Sequence, residues 1–430
     1  LLKRHYKKLY SALALAMLVS LLQPIGAAYG ASQELQAGAY GQLLDTRSSE
    51  LGFGASYTWR DMIVDGAVQK VHTVEFDPSN PNLKLVAATK SGKVTGMQAL
   101  TEMAAHSDGA GSRVIAGING DFYDISGNAT GVPNGLFVGE GRILNSSSSG
   151  YAFGLKADGT SIYGRPTLTK TVSVADSTYT LNSINRYREN NQLVLYTTDY
   201  AAATNTSSQG AEAVLEVLEG EVKSGSTMKL RVTELRPDKG SAPLNEGFVV
   251  LSASGSARPI IDGLSVGDEI SASFQLDGEW QDAVVAIGGQ GPLVKDGVAQ
   301  TNVTPAGVHP RTAIGTKADG SIVMFEVDGR QPGFSEGLET YQVAQLLVEM
   351  GVVEAMNLDG GGSSTFIAKL PGSNKAQMLN SGSDGFERRT GNGLLLVNTA
   401  SELGTASQLA VTPNMERVLA GSTLQLKASG

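Results

Sequence analysis

Glycine sets the strongest constraint on how this chain can fold: 53 of its 430 residues are Gly, and many separate apolar runs of strand length. Glycine tolerates the positive φ of tight turns, so the pattern predicts many short strands closed by tight turns. The recurring Val, Ile and Leu runs argue against disorder. With no cysteine in the chain, stability must come from core burial. A chain of about 400 residues can supply that burial in one large or two smaller domains. The same absence excludes thiolate nucleophiles and Cys-ligated zinc or iron–sulfur centres.

The N-terminal end reads as an address. Lys3, Arg4, Lys7 and Lys8 precede an apolar run from Leu9 to Leu22, followed by Gly26, Ala27, Ala28 and Gly30. This is the pattern of a secretory signal peptide over 1–30, cleaved near Gly30. Its apolar run falls short of the ~20 residues that span a bilayer. Cleavage removes four basic and no acidic side chains and takes the formal charge from −9 to −13. An acidic protein has no electrostatic case for nucleic acid or an anionic membrane. The expectation is a secreted or cell-surface protein with no stable membrane span after processing.

Residues 31–66 are polar and read as an exposed leader with a short strand near Tyr57–Ile63. Strands are expected at Val68–Phe76 and Leu83–Thr89, on either side of Asp77-Pro78-Ser79-Asn80-Pro81. Thr95 is placed to cap a helix carrying Met97, Leu100, Thr101 and Ala104 on one face. Arg113–Ile118 then reads as a buried strand delivering Asn119-Gly120-Asp121-Phe122-Tyr123. A similar order recurs later. Ser321–Val327 ends in Asp328-Gly329-Arg330, and a helix from Thr340 carries Val343, Leu346, Leu347 and Met350 up to Gly351. The strand Val353–Leu358 then delivers Asp359.

Two further echoes support the parallel. Gly135-Leu-Phe-Val-Gly-Glu-Gly141 resembles Gly291-Pro-Leu-Val-Lys-Asp-Gly297, and Ala152–Gly159 resembles Ala313–Gly320. They predict pseudo-repeated strand–hairpin units. Residues 165–283 are rich in Thr, Val and Ser with strand alternation, a β-rich insertion. The expected fold class is α+β, with mixed β-sheets and few helices. Residues 408–430 resemble the opening of a bacterial Ig-like domain, here truncated.

Beyond the signal peptide the histidines are His72, His106 and His309, with no His-Glu-x-x-His spacing and no Gly-x-Ser-x-Gly elbow. Carboxylate chemistry remains. The most informative motif is Asn357-Leu-Asp359-Gly360-Gly361-Gly362-Ser363-Ser364. Three glycines after an apolar strand let the backbone approach a ligand and turn N–H groups toward an anion. Ser363 and Ser364 add hydroxyl donors. An ordinary turn is the alternative, and no lysine follows to make it a Walker loop. Arg311, held extended by Pro310 and followed by Thr312, can clamp a phosphate or pair with a carboxylate. Asn119 and Asp121 give a second strand-end pair, so Asp121 and Asp359 can divide acid and base roles. Glu326 and Asp328 compete for those roles. Arg388, before the apolar strand Leu394–Val397, is a further anion ligand or a surface charge. A hard divalent cation such as calcium is an alternative occupant of the carboxylates, although no calcium loop is present.

In order along the chain, several of these pieces resemble the phosphodiester glycosidase family. They are Asn119-Gly-Asp-Phe-Tyr, Gly288-Gly289 with Gly291-Pro-Leu-Val, Arg311-Thr-Ala-Ile-Gly, Asp328-Gly-Arg330, the Thr340–Met350 helix, Asn357–Ser364 and Arg388…Asn392. The resemblance spans about residues 68–400 and implies a domain over 67–400 that hydrolyses a sugar joined through its anomeric carbon to a phosphodiester. It implies a phosphodiester-linked sugar or glycan as partner; together with the export signal, the expected substrate lies in a cell-surface or extracellular polymer. It also implies that Asp121, Arg311, Asp328, Asp359 and Arg388 stand at family motif positions in the site. The insertion carries no such motif and leaves substrate choice open. A non-catalytic glycan-binding module and a metal-dependent phosphodiesterase are the alternatives.

Overall fold

The computed structural model describes residues 40–146, 150–301, 303–400, 410–412, 423, 425 and 427–429. The signal peptide expected over 1–30 lies outside these residues, as does most of the segment likened to an Ig-like domain. The described chain is mostly β-sheet with few helices.

Three sheets organise it. A twelve-stranded sheet has at its centre, in spatial order, Ala67–Phe76, Ile322–Val327, Arg311–Lys317, Val352–Asn357 and Ala283–Lys295. A five-stranded sheet orders Gln377–Met378, Phe366–Ala368, Arg113–Asn119, Asn392–Asn398 and Leu83–Thr89. An eight-stranded sheet is built entirely from strands between residues 168 and 276. Strand alternation makes each of the first two sheets two-sided. Ile314, Met324 and Met356 of the large sheet join Ile118, Phe366, Leu394 and Leu396 of the five-stranded sheet in one core. Their neighbours Ala313, Phe325 and Ala355 face the other way, onto Val343, Leu346 and Leu347 of the helix Thr340–Glu349. Leu395 and Val397 likewise face out onto Leu100, Met103 and Ala104 of the helix Leu100–Ser107. The order is therefore helix, sheet, sheet, helix. Near-continuous apolar strands such as Arg113–Asn119 are buried on both faces for this reason.

Two expectations change. The leader read over 31–66 is, from Gln42 onward, a pair of long strands, Gln42–Gly52 and Ala55–Val64, that extend the large sheet. The outer strand carries Asp45, Arg47 and Glu50 and is wet along most of its length, so it lacks an apolar alternation to reveal it. The first helix begins at Leu100 rather than after Thr95, with Ala99 at its N-cap. The Thr95 hydroxyl instead donates to the Tyr200 carbonyl at 2.7 Å.

Both echoed sequence pairs are hairpins. Glu140-Gly141 and Asp296-Gly297 occupy matching left-handed turn positions, with φ of 52° and 75° against 50° and 74°. Two successive positive φ values define the primed turn that matches the twist of a hairpin.

Candidate active site

Strands from different sheets deliver the two aspartates to one place. Asn119 ends a strand of the five-stranded sheet, and Asn357 ends a strand of the large one. The fully buried Asn119 amide joins them. Its Nδ2 donates to the Asp359 carbonyl at 2.7 Å, and its Oδ1 accepts from Thr312 Oγ1 at 2.7 Å and Thr365 N–H at 3.0 Å. The Asp359 N–H donates to the Gly120 carbonyl at 2.9 Å, and Leu358 N–H to the Thr312 carbonyl at 2.8 Å. Asn119 and Thr312 thus position the backbone on which both aspartates stand. A Cβ on Gly120 would stand 2.3 Å from Asn392 Oδ1 and 2.7 Å from Ile287 Cδ1, so a larger residue there would force buried side chains to shift.

Asp121 is almost wholly buried and accepts the Gly135 N–H at 2.6 Å. Burial pushes its carboxyl up to about 7; the Gly135 and Phe122 N–H bonds oppose this and the neighbouring charge of Asp359 adds to it. Asp359 is half-buried and is raised to about 6, again by burial, against hydrogen bonds from Ser363 and the Gly360 N–H and the charge of Arg388. Two carboxyls that burial raises toward neutrality, with the charge of Asp359 adding to the shift of Asp121, are what acid–base division requires. The floor under Asp121 is made of glycine. A Cβ on Gly288 would stand 2.5 Å from both Asp121 Oδ2 and the Gly135 Cα. Gly288→Ala is expected to lower stability by roughly 1–3 kcal/mol through overpacking, read as a lower urea midpoint at unchanged slope.

The glycine turn is a short 3-10 segment, Gly361–Ser363, with φ of 64° at Gly361. Its amides are largely spent inside the chain, contrary to a simple backbone cradle. Gly361 N–H donates to Pro310 O, Ser363 N–H to Gly360 O and Ser364 N–H to Gly361 O. Two guanidinium groups use the space that the absent side chains leave. Arg388 lies against Gly362, and Arg330 Nη2 would be 2.9 Å from a Cβ on Gly361. Asp384 holds Arg388 through Nε at 2.7 Å, raising its pKa, so its guanidinium is fixed beside Asp359 and Tyr123. Arg330 is exposed, in a left-handed conformation with φ of 60°, and its Nε lies 3.4 Å from His309 Nδ1. The positive φ turns the Arg330 side chain toward Gly361.

Other candidates stand elsewhere. Arg311 is fully buried, and its guanidinium donates to the carbonyls of Leu338 and Gly307, so it anchors the 307–338 loops rather than facing the turn. The extended pre-strand position that suggested a clamp also suits this structural role. Glu326 and Asp328 converge on His72, 3.8 Å from Asp328 through Nε2, in a fully buried cluster. Asn357 and Ser364 are buried as well; Asn357 Nδ2 donates to the Leu358 carbonyl, while Asn357 Oδ1 and Ser364 Oγ have no hydrogen-bond partner.

Sequence reading missed Arg330, Tyr123 and Arg186 as site residues. The first two lie within motifs it quoted. Arg186 carried no cue, coming from the β-rich segment to bond the Pro133 carbonyl at 2.7 Å and face Asp121 electrostatically. It also lines a polar cleft of about 560 Å³ with Asp124, Asn134, Asn182, Glu189 and Gln192.

A model of the phosphodiester glycosidase family matches residues 209–397. The resemblance read from the motifs therefore holds, and the match starts inside the segment read as an insertion. Arg311, Asp328, Asp359 and Arg388 lie within it; Asn119 and Asp121 precede it. An uncharacterised SPbeta prophage-derived protein of Bacillus subtilis (strain 168) is 40% identical over 80 residues, 19% of this chain and 11% of that protein. The N-acetylglucosamine-1-phosphodiester alpha-N-acetylglucosaminidase of Homo sapiens is 42% identical over 60 residues, 14% of this chain and 11% of that enzyme. The chain thus matches only about a tenth of the length of these relatives. A solved structure of a Burkholderia pseudomallei K96243 protein has the same fold, with a TM-score of 0.65 at 18% identity, covering 85% of this chain and 98% of that one.

Proposed function

We propose that this chain, similar over residues 209–397 to the phosphodiester glycosidases, hydrolyses a sugar 1-phosphodiester at the anomeric C–O bond. The observation that carries the proposal is the half-buried Asp359 carboxylate beside Arg388, with Arg330 packed on the same glycine turn. Arg330 and Arg388 hold the phosphate, whose charge grows as the bond breaks. Asp359 attacks the anomeric carbon or activates the water that does. The water oxygen ends on the sugar, and a phosphate monoester departs with the bridging oxygen, an anion stable enough to leave without a strong acid. Asp121, pinned by Gly135, sets the charge around Asp359. The cleft lined by Arg186 and its polar neighbours suits the hydroxyls of a sugar or glycan. The basic, apolar, small-residue order of residues 1–30 supports action outside the cell, on an extracellular or cell-surface polymer.

Hydrolysis of an N-acetylglucosamine 1-(methyl phosphate) diester in 18O-labelled water tests the bond that is cut. Label in the sugar is expected; label in the phosphate means P–O cleavage and overturns the proposal. The same substrate reports the carboxyl pair. Activity needs Asp359 ionised, and ionised Asp121 sets a second negative charge beside the phosphate. With the pair titrating at about 6 and about 7, kcat/KM should rise to a narrow maximum between these values and fall on both sides. Asp121→Asn should remove the alkaline limb.

A further inference from the structure

The buried cluster behind the glycine turn has no part in that reaction, yet its chemistry is not that of an ordinary core. His72 and Glu326 are direct cross-strand partners, and Asp328 lies two residues beyond Glu326, on the same face. Each of the three offers one ligating atom, and these atoms lie within 4.8 Å of one another. His72 Nε2 and Asp328 Oδ2 are 3.8 Å apart, a separation open to two ligands each roughly 2.1 Å from a shared ion.

The carboxylates have only neutral donors. Asn380 Nδ2 bonds Glu326 Oε1 at 3.0 Å and Asp328 Oδ1 at 3.2 Å, and Ser381 N–H bonds Asp328 Oδ1 at 2.8 Å. Among the described residues no lysine or arginine pairs with either carboxylate. Glu326 is wholly inaccessible, and its Oε2 has no hydrogen-bond partner. Tyr57 and Phe366 wall the histidine ring at centroid distances of 6.1 and 5.6 Å. Two carboxylates in such a shell need a counter-charge.

We propose that His72, Glu326 and Asp328 bind one divalent transition-metal ion. An imidazole nitrogen with two carboxylates suits Zn²⁺ or Mn²⁺, whereas Ca²⁺ and Mg²⁺ favour oxygen alone. Tyr57 Oη lies 2.9 Å from His72 Nδ1, so Nδ1–H can donate to it and leave Nε2 as the ligand, an outer contact of the kind that orients metal-binding histidines. Asn380, bonded to both carboxylates, also donates to the Ser364 carbonyl at 3.2 Å, and its Oδ1 accepts the Phe366 N–H at 2.8 Å. The ion therefore staples the strands Ala67–Phe76 and Ile322–Val327 to the chain that leaves the glycine turn. It is a structural ion, shut away from substrate.

The test reads metal and stability, independently of turnover. The full chain, produced in medium supplemented with Zn²⁺ or Mn²⁺, is expected to retain about one equivalent by elemental analysis. Glu326→Gln should retain less than about a fifth of that. Wild type refolded in the presence of a chelator should melt lower by about 5 °C or more, with recovery on adding one equivalent of Zn²⁺ or Mn²⁺. Refolding with Co²⁺ gives a second readout, visible ligand-field absorption that is lost in Glu326→Gln. Wild type that holds no metal from either medium, melts unchanged with chelator or added ion, and shows no Co²⁺ absorption overturns the proposal; a proton on Glu326 then balances the charge. Loss of glycosidase activity alone changes neither outcome.

Discussion

Asp359→Asn is expected to lower kcat/KM on the N-acetylglucosamine 1-phosphodiester by about 10³-fold or more while leaving the protein folded. The fold should tolerate the change because the residue's structural contacts are made by its backbone, through the Asn119 amide and the Gly120 carbonyl. Its carboxylate is costly to keep ionised in the site, as its raised pKa records. Neutral Asn removes that cost, so the melting temperature should stay level or rise. Arg388→Ala supplies the contrast. An arginine that binds the phosphate similarly in ground and transition states should raise KM more than it lowers kcat, and Asp359 should do the reverse. Activity within about tenfold of wild type in Asp359→Asn would remove the residue from the chemistry. A wild type that binds the diester and never turns it over would instead favour a glycan-binding module.

Much of the frame was legible because its signals are local. The strand Leu83–Thr89 matches its expected bounds, and Thr340–Glu349 differs by one residue at its end, since an amphipathic period and Gly351 mark it within a dozen residues. Asp121 and Asp359 were legible as strand-end carboxylates, and the Asn119 bridge shows why an Asn precedes one of them. What stayed hidden is where long side chains turn. Arg311 and Arg330 both neighbour strand ends, yet one is drawn inward by two carbonyls and the other is set over Gly361 by a positive φ. No spacing rule carries that information, because it depends on contacts between loops far apart in sequence. The outer strand of the hairpin of residues 42–64 was hidden for another reason: its three leucines do not alternate with its polar residues, so period-two reasoning had nothing to detect.

Asp121→Asn is expected to change how stability depends on pH, by the widest margin of any conservative substitution in the site. The folded-state carboxyl titrates at about 7 against an ordinary value of 3.8. Between those values the native protein holds a proton that the unfolded chain has released, so stability falls as pH rises from about 4 and levels off above about 7. The interval corresponds to roughly 4 kcal/mol, a figure already net of the Gly135 and Phe122 N–H bonds that oppose it. Asn keeps an acceptor for that N–H and never ionises. Urea unfolding should therefore find the variant within about 1 kcal/mol of wild type near pH 4.5 and more stable by a few kcal/mol near pH 8. In metal-free protein a slope remains in the variant, because burial and Asp328 raise Glu326 in the same direction. If Asp121→Asn is the less stable protein at pH 8, the Asp121 carboxylate is ionised and held by its donors at neutral pH. The alkaline limb of the activity profile would then need another owner.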